Sequence, residues 1–312
     1  MKKFAKKLAI MAFLVLLTLL VVDYAVTSGL KKSECYLFSE WNDIIRGEVN
    51  ADWIINGSSR AWVTISPQIL EENLNQSFYN LGLDGYPFFM EKARYDLFLK
   101  YNKKPKGIIQ ALDLFLLAKR NGLYNEGQFL PYIDEPILKN SVSAYDGLSF
   151  IDSKIPAMRY IHRPEIMEIG IAEFTGMRHI TNNKYKGYEG QEKSWDHTFD
   201  SFYEMHKKEG IFQKIDEDIL KLFDEYLCKC KEDGIEIVLV YPPEYIEAQK
   251  LYRNREDVMD IYRELSLKYD FKFIDYSDNY LSHDKAYFYN SQHLNKKGSE
   301  LFTEDLSKKL LK

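Results

Sequence analysis

Two short stretches, at opposite ends of the chain, carry residue types that can do chemistry together. The first is Ile54-Ile55-Asn56-Gly57-Ser58-Ser59-Arg60, an apolar run that breaks at a glycine into two serines and an arginine. The second runs from Tyr287 through Asn290 and His293 to Asn295 and leads into Lys296-Lys297-Gly298. A serine at a strand-to-helix turn is exposed beside backbone N–H groups, where a nucleophile and an oxyanion hole are commonly built. An imidazole within hydrogen-bond reach would supply its base. Each stretch also has a plain structural reading: Gly-Ser-Ser is an ordinary turn, and Asn295 is a natural cap for the closing helix that carries Leu301, Phe302, Leu306 and Leu310.

The elements that must position these residues follow from the apolar pattern. Trp53-Ile54-Ile55 reads as the end of a buried strand, and Ser66-Pro67 before Gln68-Ile69-Leu70 reads as a helix start. Ser77 to Gly82 predicts a second strand and Ile108 to Leu112 a third, ending at Asp113; Ile235 to Tyr241 and Phe271 to Asp275 add two more. Helical spacing covers 67 to 75, 88 to 101, 254 to 269 and the stretch bearing Ile219, Phe223 and Tyr226. Strands alternating with helices predict an α/β three-layer sandwich around a central, mainly parallel five-stranded sheet. Ligands bind such sheets at the carboxyl ends of the strands, so Ser59, Gly82 and Asp113 should converge on one rim.

An N-terminal Gly-Ser-Ser together with a C-terminal His293-Leu294-Asn295-x-x-Gly298 resembles the SGNH (GDSL-like) hydrolase superfamily. The resemblance is to its membrane-anchored branch, which includes the D-alanyl transfer protein of teichoic acids and the alginate O-acetylation proteins. It implies Ser59 as nucleophile, His293 as general base, the amides of Ser59 and Gly82 as oxyanion donors, and the position of Asp113 as a third donor. It departs from the family twice. Asp113 stands where an asparagine is usual, and a carboxylate repels an oxyanion unless protonated; as a cap for Leu114-Phe115-Leu116 it has a simpler role. Asn290 stands where an aspartate normally fixes the histidine tautomer and stabilises the imidazolium. Asp275, Asp278 and Asp284 are neighbours in sequence, and nothing in the spacing selects one as a substitute. Arg60 has no family role; it suits either a phosphate or uronate ligand or an ion pair at the rim.

The first thirty residues are of another kind. Lys2, Lys3, Lys6 and Lys7 precede an apolar run from Leu8 to Val22, interrupted at Asp23 and resumed by Tyr24-Ala25-Val26. That is long enough to span a bilayer, with the positive end predicting a cytoplasmic N-terminus and a body, 31–312, outside the cytoplasmic membrane. A cleaved signal peptide is the competing reading, although no small-x-small site follows. The interval from about 121 to 205 breaks the alternation and reads as an insertion or lid with short helices of its own. Its tyrosines, with His162, His179 and His197, suit either packing or a carbohydrate site.

A net charge of −5 spread along the chain excludes a nucleic-acid footprint, and no zinc-type spacing appears. No cofactor or metal is expected. Cys35, Cys228 and Cys230 show no disulfide pattern; unpaired cysteines are the simpler reading, a Cys35–Cys228 bridge the other. The expectation is a membrane-anchored acyl esterase or acyltransferase acting on a cell-surface polysaccharide, beside a membrane-bound O-acyltransferase. The alternatives are a catalytically degenerate accessory or glycan-binding protein of the same fold, and a soluble secreted esterase.

Overall fold

Five short apolar runs pair into one sheet in the computed structural model, which describes residues 1–311. In chain order they are β1 (Trp53–Asn56), β2 (Phe78–Asn80), β3 (Gly107–Ala111), β4 (Glu236–Tyr241) and β5 (Lys272–Asp275). They lie side by side as β2-β1-β3-β4-β5, and every pairing is parallel. Parallel strands need crossovers that cover both faces, which is why the inner runs are mostly apolar rather than alternating, whereas β5 at the sheet edge runs from Lys272 to Asp275 with only Ile274 buried. Ile54 and Ile55 pair with Ile108 and Ile109, and all four are fully buried, each worth roughly 1.5–3 kcal/mol in apolar burial.

One face of the sheet presents Ile55, Ile109, Val238, Val240 and Ile274 to Leu70 of the Pro67–Leu74 helix and to Phe302 and Leu306 of the Lys296–Leu310 helix. The opposite layer holds the helices Phe88–Tyr101, Glu217–Glu232 and Arg255–Tyr269, joined by Phe88 against Phe223 at 4.7 Å and Phe223 against Tyr262 at 6.3 Å between ring centres. The expected α/β sandwich is therefore present, with its sheet wholly rather than mainly parallel. A two-stranded antiparallel ribbon, β6 (Phe288–Asn290) and β7 (His293–Leu294), stands apart from that sheet.

The chain divides into two compact units: residues 1–46 with 121–182, and residues 47–120 with 183–312. The second unit contains the sheet. In the first, Lys2–Leu30 is one 29-residue helix, long and apolar enough to cross a membrane. Its apolar side chains are exposed as far as Val21, whereas Val26, Gly29 and Leu30 are buried against the Pro164–Thr175 helix and its surroundings. A Cβ on Gly29 would fall 1.8 Å from the Gly170 carbonyl oxygen, so only glycine allows these two backbones to approach so closely. Trp41 of the Ser39–Arg46 helix packs edge-on to Phe129 and donates its indole N–H to Gln128 at 3.1 Å. Asn42 ties Leu30 and Ser33 through its amide N–H and accepts the Tyr132 hydroxyl. Among the described residues no disulfide joins the three cysteines.

Candidate active site

β1 delivers its serines because Gly57 turns the chain. Its φ is +148°, and a Cβ there would sit 2.9 Å from those of both Ala61 and Ala111, so a side chain is excluded on two counts. Ser58 then caps the one-turn helix Ser59–Trp62, its hydroxyl accepting from the Arg60 amide at 3.2 Å. Ser59, only 7% exposed, begins that helix.

His293 reaches the same point from the other end of the chain. Its Nε2 lies 2.8 Å from Ser59 Oγ, and its Nδ1 lies 2.9 Å from Asn290 Oδ1. The same Asn290 oxygen accepts the backbone N–H groups of Gln292 and His293, each at 3.0 Å. Only an oxygen can accept from two amides, which fixes the orientation of the Asn290 side chain. Nδ1 must therefore carry the imidazole proton. Nε2 is left as the lone-pair nitrogen facing the Ser59 hydroxyl, which is the tautomer a general base needs. The Tyr289 ring stacks on the imidazole with 5.3 Å between centres and 7° between planes, holding it flat. β6 and β7 place these groups, with Asn290 directly opposite His293 in the ribbon.

Among the described residues no carboxylate hydrogen-bonds or pairs with this histidine. Burial, with the Arg60 guanidinium adding to it, lowers its pKa to about 3, and Asp196 offsets only part of that. Asp275 accepts the Ser277 amide, Asp278 pairs with His283, and Asp284 accepts the Ala286 amide, so none of the three orients His293. His197 pairs with Asp200 at 3.5 Å, and in the first unit His179 pairs with Glu173 at 3.0 Å.

The remaining rim residues take roles that their sequence positions do not announce. The Gly82 amide, expected as an oxyanion donor, donates to Asn80 Oδ1 at 2.8 Å. Gly82 is required for another reason: a Cβ there would lie 2.4 Å from the Trp62 backbone nitrogen. Asn80, fully buried, also donates to the carbonyls of Ala61 and Ile65, so one side chain ties the turn after β2 to the helix that begins at Ser59. Asp113 accepts the Ser58 hydroxyl at 2.6 Å and the Phe115 amide at 3.0 Å; this is the local capping role rather than an oxyanion contact. Burial raises its pKa to about 6, against the pull of Arg60 and of the Ser58 hydrogen bond.

Arg60 points inward and is 3% exposed. It donates to the carbonyls of Pro242 and Pro243, lies 3.9 Å from Glu244, and stands over the Tyr241 ring at 4.7 Å. A guanidinium so enclosed cannot take a substrate phosphate or uronate; it braces the turn after β1 against the turn after β4. Burial opposes its charge, but Tyr241, Glu244 and Asp113 outweigh that and keep it protonated. The only sequence signal for this clamp is Tyr241-Pro242-Pro243-Glu244 at the end of a strand, and nothing in it names Arg60 as partner.

A cleft of about 860 Å³ lies between the Pro67–Leu74 and Lys296–Leu310 helices, lined by residues such as Glu72, Tyr185, Glu192 and Lys296. Ser59 and His293 are not among its walls. Among the described residues no group of histidines, cysteines and carboxylates is placed to hold a metal ion.

The second unit is thus an α/β body with a tautomer-defined Ser–His pair at the carboxyl rim of its sheet. No family model matches the chain, and no curated protein matches it. Among solved structures, a candidate acylhydrolase from Bacteroides fragilis is similar at 11% identity and a TM-score of 0.37, over 86% of this chain and 93% of that one. A likeness so slight carries no weight for the reaction.

Proposed function

We propose that this chain is a serine-dependent acyl esterase or acyltransferase of SGNH-like type. One observation carries the reading: Ser59 Oγ stands 2.8 Å from a His293 nitrogen that the Asn290 contacts leave unprotonated. Nε2 would take the hydroxyl proton as Ser59 attacks an ester carbonyl, then return it to the leaving alkoxide. An imidazole with so low a pKa accepts a proton reluctantly and gives it up readily, so attack rather than leaving-group departure should limit acylation. Water or a sugar hydroxyl would then receive the acyl group from Ser59. The Ser59 amide serves as oxyanion donor; Gly82 joins it only by releasing Asn80. Arg60 and Asp113 act as scaffold.

In this reading residues 1–30 are a single-pass anchor with the N-terminus inside, and residues 31–312 are the external body, with the insertion at about 121 to 205. The helix length and its leading lysines support this. A cell-surface polysaccharide is the proposed acceptor, and a membrane-bound O-acyltransferase the proposed partner. Two observations favour a second reading, a non-catalytic accessory or glycan-binding protein: the histidine lacks a charged partner, and the Gly82 amide is engaged.

Turnover of p-nitrophenyl acetate by the full-length protein in detergent, with Ser59→Ala and His293→Ala beside it, separates the two. Loss of turnover in both variants supports the Ser–His mechanism. Equal rates in all three, together with no acyl transfer to or from an acetylated polysaccharide, would leave the accessory reading.

A further inference from the structure

The outer end of the long N-terminal helix is fastened to a segment of its own unit that carries unusually exposed apolar side chains. Asp23, the first charge after the apolar run, accepts the Ala157 amide at 2.9 Å and two N–H groups of Arg159, at 3.0 and 2.6 Å. Thr27, one turn on, shares a hydrogen bond with Tyr160. The apolar run Leu8–Val22 rises about 22 Å as a helix, and Lys6 and Lys7 at one end and Tyr24-Ala25-Val26 at the other extend it toward the roughly 30 Å hydrocarbon core of a bilayer. Asp23 is the first charge at the outer end of that run, and Ala157–Tyr160 lies level with it.

Apolar side chains flank this segment without cover. Phe150 is 75% exposed, and Ile151, Ile155 and Ile161 are between 41% and 47% exposed, all on or beside the short helices Phe150–Lys154 and Met158–Ile161. The Pro164–Thr175 helix, packed on the anchor at Gly29, ends with Phe174 against Tyr24 at 6.1 Å and with Met177 77% exposed just beyond it. Lys154 and Arg178 stand exposed beside these residues. Large apolar residues gathered in this way mark a buried contact on most proteins, and aromatic and aliphatic groups edged by Lys or Arg are the pattern of an interfacial segment. At Phe174 this surface meets Tyr24, 67% exposed on the apolar side of the Lys2–Leu30 helix, the side that lipid covers when the helix spans.

We propose that the 150–161 segment and the end of the Pro164–Thr175 helix bed in the headgroup–acyl boundary of the leaflet from which the anchor emerges, with bilayer lipid as their partner. The first unit is then a membrane-seated base rather than a lid. This inference rests on the anchor reading above.

The test uses the full-length chain in phosphatidylcholine vesicles. An environment-sensitive fluorophore is placed at Phe150→Cys or Ile161→Cys, in a background with Cys228→Ser so that the remaining native cysteines are buried. The chain should stay with the vesicles through an alkaline carbonate wash. At both positions the emission should shift to the blue and lose half or more of its intensity to lipid carrying a shallow nitroxide quencher. A chain that stays with the vesicles while both labels remain in water would overturn the platform and leave the anchor standing. A chain that washes off would remove the anchor reading, and the platform with it.

Discussion

Replacing Asn290 by aspartate should make His293 a far better base. The substitution is nearly isosteric, and an aspartate oxygen can accept the same three N–H groups that Asn290 Oδ1 accepts now. It puts a negative charge about 4 Å from the centre of the imidazolium that forms during attack. At an effective dielectric near 20 that attraction is roughly 4 kcal/mol, or about three pKa units. The histidine pKa would rise from about 3 to about 6. If most of the 4 kcal/mol is realised in the transition state, kcat/KM rises on the order of 10³-fold. The reverse exchange in a serine protease lowers turnover by about 10⁴, but there the asparagine also leaves the wrong tautomer, so the smaller gain is expected here, where Asn290 already holds the right one. The pH profile supplies a second reading. The base must be neutral to act, so a depressed pKa moves the acid limb down: wild-type kcat/KM should stay level to below pH 5, whereas Asn290→Asp should fall on acidification near pH 6. The assay is ester turnover by the full-length protein in detergent from pH 4 to pH 8. A variant that melts with the wild type yet gains less than about tenfold, or whose acid limb does not move, would refute the claim that the missing charge limits this site.

Two further outcomes probe the scaffold. Asn80→Ala removes the partner of the Gly82 amide and of two buried carbonyls, and should cost about 3 kcal/mol or more, seen as a lowered thermal midpoint. Asp113 holds its proton to about pH 6, above its unfolded value, so its contribution to stability is full below pH 4 and lost as pH rises through 6. His293 has the opposite sign, its contribution being lost as pH falls below 6.5. Asp113→Asn removes only the first, so the stability of wild type relative to that variant should fall by roughly 2 kcal/mol from pH 4 to pH 7, read as thermal midpoints at the two values.

The sheet was legible because a buried parallel strand is written as an uninterrupted apolar run that ends at a glycine or a polar residue. Ile54-Ile55 before Gly57, and Ile108-Ile109 before Asp113, are such runs, and Phe88–Tyr101 falls where the four-residue spacing puts it. The juxtaposition of Ser59 with His293 is what the family resemblance of the two motifs implies, whereas the direction of each side chain is not written there. Arg60 turns inward because three groups after β4 attract it, and β4 lies about 180 residues away in sequence. Asn80 reads as part of a strand end, and only the approach of Gly82 to Trp62 shows why an amide is needed there. The stretch after Asn121 reads as an insertion because it breaks the alternation. That residues 121–182 share a core with the first 46 depends on Gly29 meeting Gly170, and no local period encodes this.

That meeting of glycines has a practical corollary for anyone handling the protein. The Lys2–Leu30 helix plays two parts along its length: its first twenty-odd residues expose apolar side chains, whereas Val26, Gly29 and Leu30 near its end are interior residues of a folded body. Cutting the chain at Lys31, the usual way to obtain a water-soluble form, would strip Gly170 of its neighbour, take Asp23 from Arg159, and open the pocket that Val26 and Leu30 fill. Such a fragment should be aggregation-prone for reasons unrelated to its catalytic chemistry, and a silent assay on it would report a damaged fold rather than an inert site.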